Sequence, residues 1–268
     1  MIKHLFVVTS AINSRFGVYK PEQRLAQTIE TINSIRARVP NAGIAIMECT
    51  GVSPTAEQEQ VLRENCNYFL DYTTSPDVQA IYRSTDNWDV VKNGTEILVF
   101  GRALEVLKNN NIIQEYDRVH KMSGRYILND EFNLDLYELD QVRDQIVIGH
   151  SQASQFRPEV TQVDRQYMAR LWSWPSELND EIVQVYKDSF EFFTSRVDNG
   201  GYVDIEHVLY KFLNRDHLTE VETLGVEGTM LNLLCFNFLI DDLSQNPQTT
   251  LCPLSTLILC KFSAGSTP

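Results

Sequence analysis

The strongest constraint on this chain is the alternation, over its first two thirds, of short apolar runs with segments of helical periodicity. Leu5-Phe6-Val7-Val8 ends in the small polar group Thr9-Ser10-Ala11, and Ile44-Ala45-Ile46-Met47 closes at Glu48. Tyr68-Phe69-Leu70 is a third, shorter run; Arg118 to Met122 and Gln145 to Gly149 are a fourth and a fifth. Compact runs of this kind read as buried strands. Between them, Pro21 suits a first helical turn, and Leu25, Ile29, Ile32 and Ile35 follow at helical spacing until Pro40. Ser53-Pro54 opens a polar helix reaching about Asn65, and Thr95 to about Lys108 carries Ile97, Phe100, Leu104 and Leu107 on one stripe. Asp180–Phe193 is amphipathic through Ile182, Val185, Ser189 and Phe193, and Asp204 can cap a helix carrying Ile205, Val208, Leu209 and Phe212. Strands alternating with helices predict an α/β fold, a three-layer α/β/α arrangement around a mostly parallel central sheet. Between Thr73 and Asn93 the periodicity stops and Ser, Thr, Asp, Asn and Pro accumulate, which reads as a long functional loop.

No linker or repeat divides the chain, so residues 1–245 read as one domain and 246–268, where the pattern fades into Ser, Gly and Pro, as a tail. With 36 acidic and 23 basic residues the net charge is −13, and no Lys/Arg run offers the basic face that nucleic-acid phosphates require. A nucleotide needs only a few local cations and is not excluded. The five cysteines are scattered without a C-x-x-C pair, which argues against a disulfide framework or zinc site. The apolar run near the N-terminus is too short for a signal or membrane segment. The stretch Met230–Ile240, interrupted by Asn232 and Asn237, reads as a core helix. The expectation is a cytoplasmic protein with no integral membrane segment.

In open α/β sheets ligands bind beyond the carboxyl ends of the strands, which turns the strand ends into a set of candidate site residues. Thr9, Ser10 and Ala11 follow the first strand, Glu48 the second, and Ser123, Gly124 and Arg125 the fourth. Small residues let a ligand approach the backbone; a carboxylate accepts ribose hydroxyls; Lys121 and Arg125 together suit an anion. The alternative for this cationic pair is an edge lysine and an arginine paired with a carboxylate. Lys92 and Gly94, in a turn before a helix, are further nucleotide candidates. Neither G-x-G-x-x-G nor G-x-x-x-x-G-K-[ST] occurs, and His120, His150 and His207 lack metal-ligand spacing. Trp172-Ser173-Trp174-Pro175 reads as core packing, with a sugar-stacking acceptor surface as the alternative.

Lys121-Met122-Ser123-Gly124-Arg125-Tyr126 resembles the K-x-S-G-R-Y signature of small bacterial and viral glycosyltransferase-like proteins of the GT-A type. Arg24, Thr28, Thr31, Ser34, Ile35 and Arg36, followed by Pro40-Asn41-Ala42, are similar to the first helix of that group. Glu48 resembles its carboxylate after strand two, Lys92-Asn93-Gly94-Thr95-Glu96 its N-K-G-x-x-E element, and Asp204-Ile205-Glu206 its late acidic element. The resemblance covers about residues 1–230. It implies a GT-A-like domain binding a nucleotide-diphosphate sugar donor across strands one, two and four, with a saccharide or glycan acceptor.

Most GT-A enzymes hold a divalent cation, Mn or Mg, on Asp-x-Asp at the end of strand four, and this chain contains no Asp-x-Asp. Either Lys121 and Arg125 replace the metal, the preferred reading, or carboxylates such as Glu48 or Asp204 hold it. Transfer also needs a base for the acceptor hydroxyl. Glu206 is the first candidate and Asp204 the second, with helix capping as the alternative role for these acids. The rival functions are a sugar-phosphate nucleotidyltransferase and a non-catalytic nucleotide-sugar-binding protein.

Overall fold

The computed structural model describes residues 2–228. The stretch Met230–Ile240, the 246–268 tail and Cys235, Cys252 and Cys260 lie outside the described residues.

The first half runs β1 (His4–Ser10), α1 (Pro21–Arg38), β2 (Gly43–Glu48), α2 (Ala56–Glu64), β3 (Tyr68–Asp71), α3 (Pro76–Ser84), α4 (Trp88–Asn109), β4 (Arg118–Ser123) and β5 (Tyr126–Leu128). The second half runs α5 (Asp140–Arg143), β6 (Ile146–Gly149), β7 (Gln152–Ala153), α6 (Pro158–Thr161), β8 (Arg165–Gln166), β9 (Leu171–Pro175), α7 (Asn179–Asp198), α8 (Ile205–Phe212), β10 (Leu218–Val221) and β11 (Val226–Gly228). Seven strands form the central sheet in the order β10-β6-β9-β4-β1-β2-β3. Every neighbouring pair is parallel except those made by β9, which runs antiparallel to both β4 and β6. Two small antiparallel pairs, β5 with β11 and β7 with β8, lie outside it.

The period-two alternation of the strands divides the interior into two layers. Leu5, Val7, Ala45, Met47 and Val119 face α3, α4, α7 and α8. Phe6, Val8, Ile44, Ile46 and Met122 face α1 and α2, with Phe132 and Tyr137 completing that side. Helices therefore cover both faces of a mostly parallel sheet.

The long loop expected between Thr73 and Asn93 is a correction: most of it is helical. Pro76 occupies the first turn of α3, where its missing N–H costs nothing, and Val78 and Ile81 at i, i+3 spacing are buried. Asn87 then caps α4, its side chain accepting from the Asp89 and Val90 amides, so that helix starts seven residues before Thr95. The turn-like sequence Lys92-Asn93-Gly94 inside it hid that start. Trp172 and Trp174 lie on β9 and are fully buried, so neither indole is offered to a sugar.

At the opposite end of the sheet from the strand exits, His4 and His120 share a hydrogen bond of 2.9 Å, and Phe6 stacks on His120 at 4.3 Å. Burial lowers His4 to about 4 and holds His120 well below its ordinary value; the cationic Arg118 adds to both. The fold thus refuses protons that the unfolded chain binds near pH 6.5. Stability is complete above that pH and declines as the pH falls toward 4, by about 2 kcal/mol for His4 alone at pH 5. Urea titrations at pH 7 and pH 5 should show this decline. The double replacement His4→Phe with His120→Phe should flatten it; an equally steep decline in that variant would assign the acid lability elsewhere.

Candidate functional site

From β1 the chain builds β2 and β3 on one side and then crosses to place β4 on the other. Connections leaving toward opposite faces make the carboxyl ends of β1 and β4 the switch point of the sheet, the general location of ligands in open α/β sheets. Thr9 pairs with Ser123 in register, so the two strands end level at this rim.

The residues expected there divide into those the protein itself occupies and those left free. Glu48 is fully buried and accepts from Ser10 Oγ and Thr50 Oγ1, each at 2.7 Å, and from the Ile12 and Thr50 amides at 3.2–3.3 Å. Burial raises its pKa, and these four donors oppose the rise. Its acceptor positions are filled, which corrects the expectation of a ribose-binding carboxylate: Glu48 ties the exit of β1 to the exit of β2. Thr9 and Ser10 are buried with it, whereas Ala11 is partly exposed. At Gly124 an added Cβ would lie 2.8 Å from the Thr9 carbonyl oxygen and 3.1 Å from Thr28 Oγ1. Glycine is needed there to let β4 leave under α1, not to admit a ligand.

Lys121 projects to the α4 side and is 1% exposed. Its Nζ donates to the Ala169 carbonyl at 2.6 Å and to Ser123 Oγ at 2.9 Å, and lies 3.0 Å from Glu96 Oε1. Burial pushes the Glu96 carboxyl up, but the charge of Lys121 outweighs it and leaves that pKa below the ordinary value. Lys121 is thus paired inside the fold rather than directed at an anion, a second correction. Lys92 and Gly94 lie inside α4 instead of in a turn, a third. Gly94 is buried where a Cβ would meet the Phe193 ring at 2.9 Å, so its smallness serves α4–α7 packing; Lys92 is exposed.

Arg125 stays half-buried at the rim, and no ion pair to it forms among the described residues. Beside it stands Arg24, a residue that strand-end reasoning did not single out. Thr28 Oγ1 reaches the Gly124 carbonyl at 3.4 Å and Thr31 Oγ1 the Tyr126 carbonyl at 2.7 Å. Arg24, one turn before Thr28 on the same helical face, therefore projects past Gly124 toward Arg125. Burial and the charge of Arg125 bring its pKa down to about 10.

Across the rim, Asp204 is the N-cap of α8, accepting from the His207 amide at 3.1 Å and from its imidazole Nδ1. His207 Nε2 reaches Ser154 Oγ at 2.7 Å. Glu206, partly exposed, is engaged by no other described side chain through a hydrogen bond. Burial pushes its carboxyl up to about 7, Asp204 adds to the rise, and Lys92 opposes it. Glu96 adds slightly to the rise at Glu206, and Arg125 slightly to the lowering at Glu96.

Among the described residues no carboxylate set suited to a divalent cation gathers at this rim. The β4 exit offers Ser123, Gly124 and Arg125 rather than carboxylates, Glu48 is filled by the protein's own donors, and Asp204 is engaged as a cap. Among the described residues no three His, Cys, Asp or Glu side chains form a group able to hold a metal ion. A hollow of about 430 Å³ along α2 is lined by that helix alone and adds no chemistry. No helix among the described residues is long and apolar enough to cross a membrane. No protein-family model matches the chain, and a search of curated proteins finds no match.

Proposed function

We propose that this chain is a glycosyltransferase of the GT-A type, which binds a nucleotide-diphosphate sugar at the switch point between β1 and β4 and transfers the sugar to a hydroxyl of a saccharide or glycan. What supports this reading is the pair Arg24 and Arg125, without carboxylate ion-pair partners among the described residues, together with a half-buried carboxyl at the start of α8 whose pKa is pushed up to about 7. A carboxyl of that kind is matched to accepting a proton at physiological pH.

In the proposed reaction Glu206 takes the proton from the acceptor hydroxyl. The acceptor oxygen forms a bond to the anomeric carbon while the bond from that carbon to the terminal phosphate oxygen breaks. The electron pair of the broken bond leaves with the nucleoside diphosphate, and Arg125 meets the charge that develops there. Glu48 and Lys121 contribute indirectly. The first holds Ser10, Ile12 and Thr50 in place, and the second fixes Ser123 and the start of β9.

Thermal unfolding with nucleoside diphosphates, their sugars and nucleoside triphosphates, each with EDTA or Mn²⁺, tests the reading. A ligand at one hundred times its Kd stabilises by about 2.7 kcal/mol. Diphosphates and diphosphate sugars should raise the Tm more than triphosphates do. A triphosphate preference would favour a sugar-phosphate nucleotidyltransferase, and a donor bound without transfer would leave a binding protein. A flat response to every ligand would remove the proposal altogether.

A further inference from the structure

Building on the donor site above, we propose that Arg24 and Arg125 form a two-arginine clamp for the pyrophosphate group, which does the work of a divalent cation at this site. Three observations carry it. The first is placement: the hydroxyl contacts of Thr28 and Thr31 align α1 along the β4–β5 turn, which sets Arg24, one helical turn ahead of Thr28, on the side of α1 facing the β4 exit and within electrostatic reach of Arg125. The second is isolation. Neither guanidinium has an ion-pair partner among the described residues, although nine Lys or Arg pairs with carboxylates form elsewhere among them, and Arg24 Nε is buried without a hydrogen-bond partner. Glu48, the acid nearest in character to a counter-ion, is already engaged by its four donors.

The third observation is enclosure. The loop after β1 folds over Arg24, with Tyr19 under its guanidinium at 5.4 Å. Gly17 adopts φ 137°, and a Cβ there would fall 2.8 Å from Arg24 Nη2. Two like charges close to one another, half out of water and with no acid in an ion pair to either, are unfavourable until an anion joins them. A pyrophosphate offers two adjacent anionic groups, each able to accept paired N–H donors from a planar guanidinium. Lysine, as a point charge, would serve less well. The clamp also accounts for the lack of a carboxylate set among the described residues: such a set and two arginines would compete for the same oxygens.

The experiment is calorimetric titration of inorganic pyrophosphate into the full chain, in EDTA and separately in Mn²⁺. The parent should bind in EDTA. Arg24→Ala and Arg125→Ala should each weaken binding about ten- to hundred-fold, the loss expected for charged hydrogen bonds. Arg24→Lys should recover part of it, and unfolding curves should show each variant folded. Binding that requires Mn²⁺, parental affinity in Arg24→Ala, or no pyrophosphate binding in the parent would each overturn the clamp. Sugar transfer is measured separately, so the two readings fail apart. Transfer that depends on Mn²⁺ removes the clamp alone, whereas EDTA-tolerant, Arg24-dependent pyrophosphate binding without transfer removes the transferase alone.

Discussion

Glu206→Gln is expected to bind the sugar donor as the parent does and to lose transfer by about a hundred- to ten-thousand-fold, the usual contribution of a positioned base. The replacement keeps the size of the side chain and the helical position in the first turn of α8, so the cap made by Asp204 is undisturbed. Only the capacity to take a proton goes. The pH dependence supplies a second readout. A carboxyl raised to about 7 is protonated below that value and ionised above it. Because the ionised form is the base, kcat/KM of the parent should rise as the pH increases through about 7. The residual rate of Glu206→Gln should not follow that limb. Steady-state kinetics from pH 5.5 to 8.5, with donor binding measured beside them, decide the matter. Parental turnover in the glutamine variant would end the assignment of Glu206.

Lys121→Met is expected to destabilise the fold by about 3–5 kcal/mol, a large part of the 5–15 kcal/mol by which domains are ordinarily stable. Removing the ammonium strands the Glu96 carboxylate, whose side chain is 13% exposed, without its ion-pair partner, leaving only the more distant charges of Lys92 and Arg125. It also strips donors from the Ala169 carbonyl and the Ser123 hydroxyl. The cost lies in the orphaned acid rather than in the lost attraction. Adding Glu96→Leu should therefore return most of the stability, since an apolar pair of similar volume needs no compensation. Urea unfolding of the parent, the single and the double variant separates these terms. A single variant within about 1 kcal/mol of the parent would mean that Glu96 finds water or another partner.

How much of this was legible in the sequence depends on whether the deciding contact was local. Strands β1, β2 and β6 announce themselves because burial on both faces demands mainly apolar residues. By contrast α3 and the first turns of α4 carry many polar residues, and the capping role of Asn87 is shared by many loop asparagines. Strand β9 is short, antiparallel and rich in tryptophan, and nothing local distinguishes it from an aromatic loop. The small strands β5, β7, β8, β10 and β11 are too brief to show a period. Among the candidate site residues, Glu206 and Arg125 are proposed from element ends alone. The partner of Lys121 could not, because alternation tells which face a strand residue takes but not which helical acid lies opposite. Arg24 was hidden for the same reason: its meeting with Arg125 depends on how α1 lies along the turn after β4.

The carboxylate of Glu48 has a consequence for anyone altering the exits of β1 and β2. One side chain fastens the segments that follow two neighbouring strands, through Ser10 and Ile12 on one and Thr50 on the other. These segments therefore move and mutate as a unit. A change at either is transmitted to its neighbour through a single shared anchor. Redesigning the segments beyond β1 and β2 would require substitutions chosen jointly across both, and single replacements there should alter local conformation and rigidity together.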